Sequence, residues 1–179
     1  MKSRALITGA STGIGYAYAK HLSKDGWILD LISENAERSI RSEERLDYPD
    51  ANFYLADLSK KSSIKEIISN YETPDLIVAN AGIAINGSIG KLDESQKEGA
   101  YYLMCGGIID LIEGFAPKMI KRGTGRIVII SSIGAITAMP KSSIYSSAKA
   151  GIYMYGKSIS AELENKGISV TVSLPGYVE

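Results

Sequence analysis

Residues 4–15 read Arg4-Ala5-Leu6-Ile7-Thr8-Gly9-Ala10-Ser11-Thr12-Gly13-Ile14-Gly15, and a helical apolar pattern follows them. A short apolar run opens directly into a turn with three glycines. Such a turn lets the backbone come close to a pyrophosphate, and the helix after it supplies free N–H groups and the positive end of its dipole. The spacing is Gly-xxx-Gly-x-Gly, not the commoner Gly-x-Gly-xx-Gly. A tight loop with no ligand has the same outline, so the turn needs its context.

The context is a repeat of short apolar runs and longer amphipathic stretches. The runs are 5–7, 27–32, 52–55, 75–78, 126–130 and 168–174, and the helical candidates are 13–25, 35–46, 60–71, 94–121 and 143–166. Most of the runs are near-continuous, as in strands covered on both faces. Strand–helix–strand repetition predicts a doubly wound parallel sheet of the Rossmann type, in one three-layer α/β domain over residues 1–179. Two features disturb the pattern. Asp30 falls inside the second strand, where a buried carboxylate needs a partner that the sequence does not name. The helix over 94–121 carries Gly99, Gly106, Gly107 and Gly114, each costing about 1 kcal/mol relative to alanine. Close packing against another helix would offset that cost. A broken or bent helix is the alternative.

Composition excludes several classes. The 179 residues are 45% hydrophobic and 22% charged, with formal net charge zero, so no charge excess points to nucleic acid or an acidic membrane. Cys105, the single cysteine, lies in an apolar stretch far in sequence from the single histidine, His21. It is expected to be a small core residue. No metal-ligand cluster, secretory core or membrane span is visible, and the expected location is the cytoplasm.

An acidic residue about twenty positions past the turn, at the end of the second strand, commonly bonds the adenosine ribose. Glu34 stands there. It is also a residue that a helix N-terminus favours. Facing the ribose, its charge would repel a 2′-phosphate, and no basic residue occupies the glycine turn or positions 33–35. The lean is to NAD over NADP.

The fifth run is followed by Ser131-Ser132, and Tyr145-Ser-Ser-Ala-Lys149 begins thirteen residues past Ser132. Tyr145 and Lys149 share a helix face at i and i+4. A tyrosine near its reference pKa of about 10 is a poor proton carrier at neutral pH. A nearby ammonium favours the phenolate. A serine hydroxyl can bond a substrate carbonyl and steady developing charge. Hydride would then pass between a nicotinamide and a carbonyl or carbinol carbon while Tyr145 moves the proton. A packed tyrosine beside a solvated lysine would show the same spacing.

Taken together, Thr8-Gly9 with Gly13-Ile14-Gly15, Asp57, Asn80-Ala81-Gly82, Ser132, Tyr145 with Lys149, and Pro175-Gly176 with Val178 make the chain resemble the classical short-chain dehydrogenase/reductase family, over essentially its whole length. The resemblance implies a seven-stranded sheet in the order 3-2-1-4-5-6-7 and a cofactor, NAD or NADP, across the strands' carboxyl ends. It implies cofactor contacts from Gly9, Ser11, Thr12, Gly13, Ile14, Gly15, Glu34, Asp57, Leu58, Asn80, Ala81, Gly82, Tyr145, Lys149, Pro175, Gly176 and Val178. Asp57 would bind the adenine amino group. Ser132, Tyr145 and Lys149 would be catalytic: Ser132 polarising the carbonyl, Tyr145 the acid/base, Lys149 also bonding the nicotinamide ribose.

The chain departs from the family in two places. The position of an asparagine that completes a proton relay in many members is Met104 here, and a thioether is a weak acceptor. The relay must differ, or turnover is reduced. The sequence also stops at Glu179, just after the sixth run, where family members continue into a substrate lid and a seventh strand. That leaves the run 168–174 as an exposed apolar edge, an association hazard, unless more chain or a second subunit covers it.

The expected function is a carbonyl reductase or alcohol dehydrogenase acting on a small molecule. A nucleotide-binding sensor with little catalysis is the alternative, followed by an epimerase or dehydratase that retains its cofactor. The resemblance implies a homodimer or homotetramer through the helices 94–121 and 143–166. Small residues around Ser142-Ser143, Ser146-Ser147-Ala148 and Ala150-Gly151 would permit close packing. Residues 83–90 and 133–142 would line a fairly apolar substrate pocket.

Overall fold

The computed structural model describes residues 2–38 and 50–177. They form a six-stranded parallel sheet in the order β3-β2-β1-β4-β5-β6. The strands are β1 (Arg4–Thr8), β2 (Ile28–Ser33), β3 (Ala51–Leu55), β4 (Leu76–Ala79), β5 (Gly125–Ile130) and β6 (Ile168–Ser173). This is the implied order without a seventh strand among the described residues. The helices are α1 (Gly13–Lys24), α2 (Lys61–Asn70), α3 (Glu94–Tyr101), α4 (Gly107–Arg122) and α5 (Ser143–Leu163). The expected helix 35–46 is described only at its start. Residues 36–38 are helical, Asn35 Oδ1 caps the Arg38 N–H at 2.9 Å, and 39–49 lie outside the described residues.

The continuous apolar strands divide by alternation onto two faces, as pleating requires. Ala5, Ile7, Leu29, Leu31 and Val78 pack with Ala19 and Leu22 of α1. Leu6, Ile32, Ile77, Ile127 and Ile129 pack with α2, α4 and α5 through residues such as Ile64, Leu111, Phe115 and Ile152. Cys105 is buried in this second cluster, as expected.

Asp30 finds its partner across the sheet. Its carboxylate, 1% exposed, accepts from Arg4 Nη1 at 2.9 and 3.2 Å and from Asn52 Nδ2 at 2.9 Å. Asp30 pairs in register with Leu6 and Asn52, so three neighbouring strands share the buried charge, which the guanidinium and amide compensate.

The glycines of the long helix serve both purposes weighed above. A five-residue π-helical segment, Tyr102–Gly106, separates α3 from α4. A Cβ on Gly107 would lie 3.2 Å from the Leu58 carbonyl, and one on Gly114 would lie 2.4 Å from Ile68 Cδ1. Close packing and helix irregularity therefore coexist.

Strand β6 is an edge, but it is not apolar on both faces. Ile168, Val170 and Val172 turn inward while Ser169 and Thr171 are exposed. The small-residue run on α5 is also partly spent inside the chain. Ala148 is fully buried, and a Cβ on Gly151 would meet Cys105 Sγ at 3.0 Å.

Candidate active site

The strand order reverses between β1 and β4, and the crevice outside their carboxyl ends is where doubly wound sheets hold ligands. The two strand ends are locked together there. Thr8 Oγ1 accepts from the Asn80 and Ala81 N–H groups, both at 3.0 Å. Asn80 Nδ2 returns bonds to the Thr8 and Gly9 carbonyls at 3.0 and 3.1 Å. The turn sits on this clamp. Gly9 and Gly13 hold φ of +64° and +55°, which favour glycine. A Cβ on Gly15 would stand 2.3 Å from the Gly9 carbonyl oxygen.

A cleft of about 520 Å³ opens over this turn. Its lining includes Gly9, Ser11, Thr12, Gly13, Ile14, Glu34, Leu58, Asn80, Ala81 and Gly82. Helix α1 begins above it with no side-chain cap and no acidic residue in its first turn. Its N-terminal N–H groups and dipole are therefore available to an anion. The glycines and the uncapped helix fit the pyrophosphate of a dinucleotide. Asp57 is placed beside the cleft, between Ala56 and Leu58, which line it. Its carboxylate turns onto Ser59 N–H and Oγ at 3.0 and 2.6 Å and onto Lys60 at 3.1 Å. The Ser59 bonds, with help from Lys60, hold it below the usual carboxylate range. Glu34 and Arg38 both line the cleft. The arginine was missed because it lies past the positions where a basic residue was sought.

A second cavity, about 780 Å³, adjoins the first through Ile14, Asn80, Gly82 and Ile83, which line both. It gathers Ser132, Tyr145, Lys149, Pro175 and Gly176. Val178 lies outside the described residues. Ser132 follows β5 and is 7% exposed, and its Oγ accepts from Gly134 N–H at 3.0 Å. The position of a Gly134 Cβ would be 3.4 Å from Ser132 Oγ and 3.2 Å from Tyr145 Cε1, so this glycine lets the two side chains converge. Lys149, one turn after Tyr145, holds its Nζ 5.9 Å from the tyrosine ring centre. It is 4% exposed and donates to the Ile130 carbonyl at 2.8 Å. Burial lowers its pKa to about 8.

Met104 is fully buried at the π-helical segment. A Cβ on Gly82 would lie 3.6 Å from Met104 Cγ and 3.5 Å from Lys149 Nζ. The Met104 side chain and the Lys149 ammonium thus both come close to Gly82.

The sequence profile described as short chain dehydrogenase matches residues 3–179. The chain belongs to the short-chain dehydrogenase family. It is 33% identical to nodulation protein G of Azospirillum brasilense, over 97% of this chain and 74% of that protein. It is 30% identical to a 3-oxoacyl-(acyl-carrier-protein) reductase of Chlamydia trachomatis, over 98% and 73%. Among solved structures, a short-chain dehydrogenase from Sphingobium yanoikuyae in complex with NADPH superposes with a TM-score of 0.90 at 27% identity, over 97% of this chain and 70% of that one. A ketone-specific alcohol dehydrogenase from Comamonas testosteroni gives 0.91 at 26% identity, over 97% and 72%. As a short-chain dehydrogenase the protein is an oxidoreductase by family, with a cleft suited to NAD(P). No described helix is long and apolar enough to cross a membrane.

Proposed function

We propose that the protein binds NAD(P) in the cleft over the glycine turn and transfers hydride between the nicotinamide and a carbonyl or carbinol carbon, with Tyr145 as the acid/base. The observation that supports this best is the convergence of Ser132, Tyr145 and Lys149 on one cavity that shares walls with the nucleotide cleft. The bound cofactor supplies or accepts the hydride. Ser132 Oγ, which accepts from Gly134 N–H on one lone pair, keeps its proton to donate to the carbonyl oxygen. Tyr145 Oη gives or takes the proton on that oxygen. Lys149 brings an ammonium that favours the phenolate and a donor for the nicotinamide ribose. Gly9, Ser11, Thr12, Gly13, Ile14 and Gly15 with the first turn of α1 hold the pyrophosphate. Asn80, Ala81, Gly82, Pro175 and Gly176 border the nicotinamide, and Asp57 and Leu58 the adenine.

Substituting Tyr145→Phe tests the reading. Reduction of carbonyl substrates should fall by about 100-fold or more, while NADH and NADPH still quench or enhance fluorescence on binding. Full turnover in the variant would refute the role of Tyr145.

Met104 favours a second reading, a nucleotide binder with little turnover, since a thioether holds water poorly. Binding without turnover across a panel of ketones, aldehydes and alcohols would decide for it. A homo-oligomer working in the cytoplasm belongs to the same proposal. Tyr101 on α3 and Met154 on α5 are large exposed apolar side chains on the helices expected to pair. Light scattering that shows only monomer at high concentration would remove the oligomer.

A further inference from the structure

We propose that Asn86 and Ser142 form a second polar subsite in the catalytic cavity, one that takes a neutral hydrogen-bond acceptor on the substrate besides its reacting carbonyl. The inference rests on the reading that Ser132 and Tyr145 meet that carbonyl. Ser142 Oγ, 7% exposed, donates to Asn86 Oδ1 at 2.6 Å. Both residues line the cavity. The bond uses the acceptor end of the amide and fixes its orientation. The Nδ2 end has no partner among the described residues, so the polar group left for a ligand is a donor.

The subsite is held firmly. Gly87 N–H donates to the Lys141 carbonyl at 2.7 Å, alongside the side-chain bond. Residues 86–87 and 141–142 are thus tied twice. Lys141 keeps a φ of +63° at this tie, the one positive-φ non-glycine of the described residues. Strained backbone of this kind persists where its surroundings over-determine it, often beside ligand sites.

Position and charge set the ligand class. Ser142 is the N-cap of α5, three residues before Tyr145, and both line the cavity, so they lie about one helical turn apart, roughly 5 Å along the axis. A substrate that spans both carries its second acceptor a few bonds from the reacting carbon. Lys149 is the one charged side chain among the described residues of this cavity, and it bonds Ile130. That ammonium stands beside Tyr145, one turn along α5 from Ser142, so no second cation lines the cavity for a carboxylate or phosphate at the subsite. Apolar Ile85, Met139 and Pro140 make up the neighbouring wall. An ester, thioester or amide carbonyl next to a ketone meets these conditions.

The test compares ethyl 3-oxohexanoate with 4-nonanone, which replaces the ester by an alkyl chain of the same length. The wild-type protein should prefer the oxo ester by about tenfold or more in kcat/KM, as a site with a committed donor does. Asn86→Asp keeps the acceptor for Ser142 but deletes the donor, and Asn86→Leu deletes both. Each should bring the preference close to one, with thermal melts confirming the fold. Ser142→Ala frees the amide and should cut the preference severalfold. An unchanged preference in Asn86→Asp overturns the subsite, as does a wild-type protein that reduces both ketones equally well. If the wild-type protein reduces neither compound with NADH or NADPH, the subsite is overturned, while the hydride-transfer reading stands or falls on the wider panel of ketones, aldehydes and alcohols.

Discussion

Lys149 donates an Nζ proton to the Ile130 carbonyl at 2.8 Å, so α5 is fastened to the last residue of β5 at the carboxyl end of the sheet. Ser131 Oγ returns a bond to the Lys149 carbonyl, also at 2.8 Å. No carboxylate pairs with this buried ammonium in the described structure, and burial lowers its pKa from 10.5 to about 8. The unfolded chain therefore holds more protons than the folded one between about pH 8 and 10.5. Stability of the cofactor-free protein should rise with pH across that window. Below pH 8 both states are charged and the whole desolvation penalty is present, on the order of 3 kcal/mol. Burial raises Tyr71, Tyr102 and Tyr155 above their ordinary range, so the trend reverses above about pH 10, where the unfolded tyrosines ionise. Urea unfolding at pH 7 through 10 checks this. A slope that survives in Lys149→Met would assign the effect to another group.

Thr8 accepts two main-chain N–H groups on one oxygen, the buried one of Ala81 and the partly buried one of Asn80. Thr8→Val keeps the shape and leaves both N–H groups without that acceptor. An unsatisfied buried donor costs about 1–3 kcal/mol, so the loss should be roughly 2–4 kcal/mol in total. Thr8→Ser keeps the oxygen and should recover most of it. Equal denaturation midpoints for the valine and serine variants would mean that the hydroxyl clamp contributes nothing.

The parts of this fold that were legible are those written in local pattern. Continuous apolar runs such as 126–130 and the glycine turn gave strands and helix starts to within a residue or two. Asp30 was opaque because its partners, Arg4 and Asn52, lie 26 and 22 residues away and meet it only through the sheet register. The π-helical segment at Tyr102–Gly106 leaves no periodic trace in a five-residue stretch. Asn86 belongs to the wall through loop geometry, which carries no period, and Arg38 through the first turn of a helix that follows Glu34. That Ser132, Tyr145 and Lys149 meet in one cavity could be expected only from the set together with the turn, since the helical spacing of one tyrosine and one lysine is common by chance.

Two glycines of the turn should respond differently to alanine. At Gly15 a Cβ would collide with the Gly9 carbonyl at 2.3 Å and with Asn80 Nδ2 at 2.6 Å. Backbone cannot move aside cheaply there, so Gly15→Ala should disrupt the clamp and abolish NADH and NADPH binding. At Gly13 nothing lies within 4 Å of the Cβ position, and the φ of +55° is the sole obstacle. Its cost should be about 1–2 kcal/mol, with nucleotide binding weakened but measurable. Fluorescence titration and urea unfolding of both variants make the comparison. Equal effects at the two positions would mean that close approach at Gly15 is not what its glycine serves.

Cofactor choice should turn on Glu34 and Arg38, which line the same end of the nucleotide cleft with opposite charges. A carboxylate at the ribose repels a 2′-phosphate, whereas a guanidinium can bind one through two N–H donors. The Arg38 main chain is held by Asn35 Oδ1 at 2.9 Å, which fixes where its exposed side chain starts. Glu34→Gln removes the repulsion and should raise the NADPH to NADH affinity ratio. Arg38→Ala removes the cation and should lower that ratio. One charge pair of this kind, partly exposed, is worth about 1 kcal/mol, so each shift should be about fivefold and should shrink at high salt. Should the Arg38 variant keep the wild-type ratio while the Glu34 variant changes it, the carboxylate alone sets the preference, and NAD is the cofactor it favours.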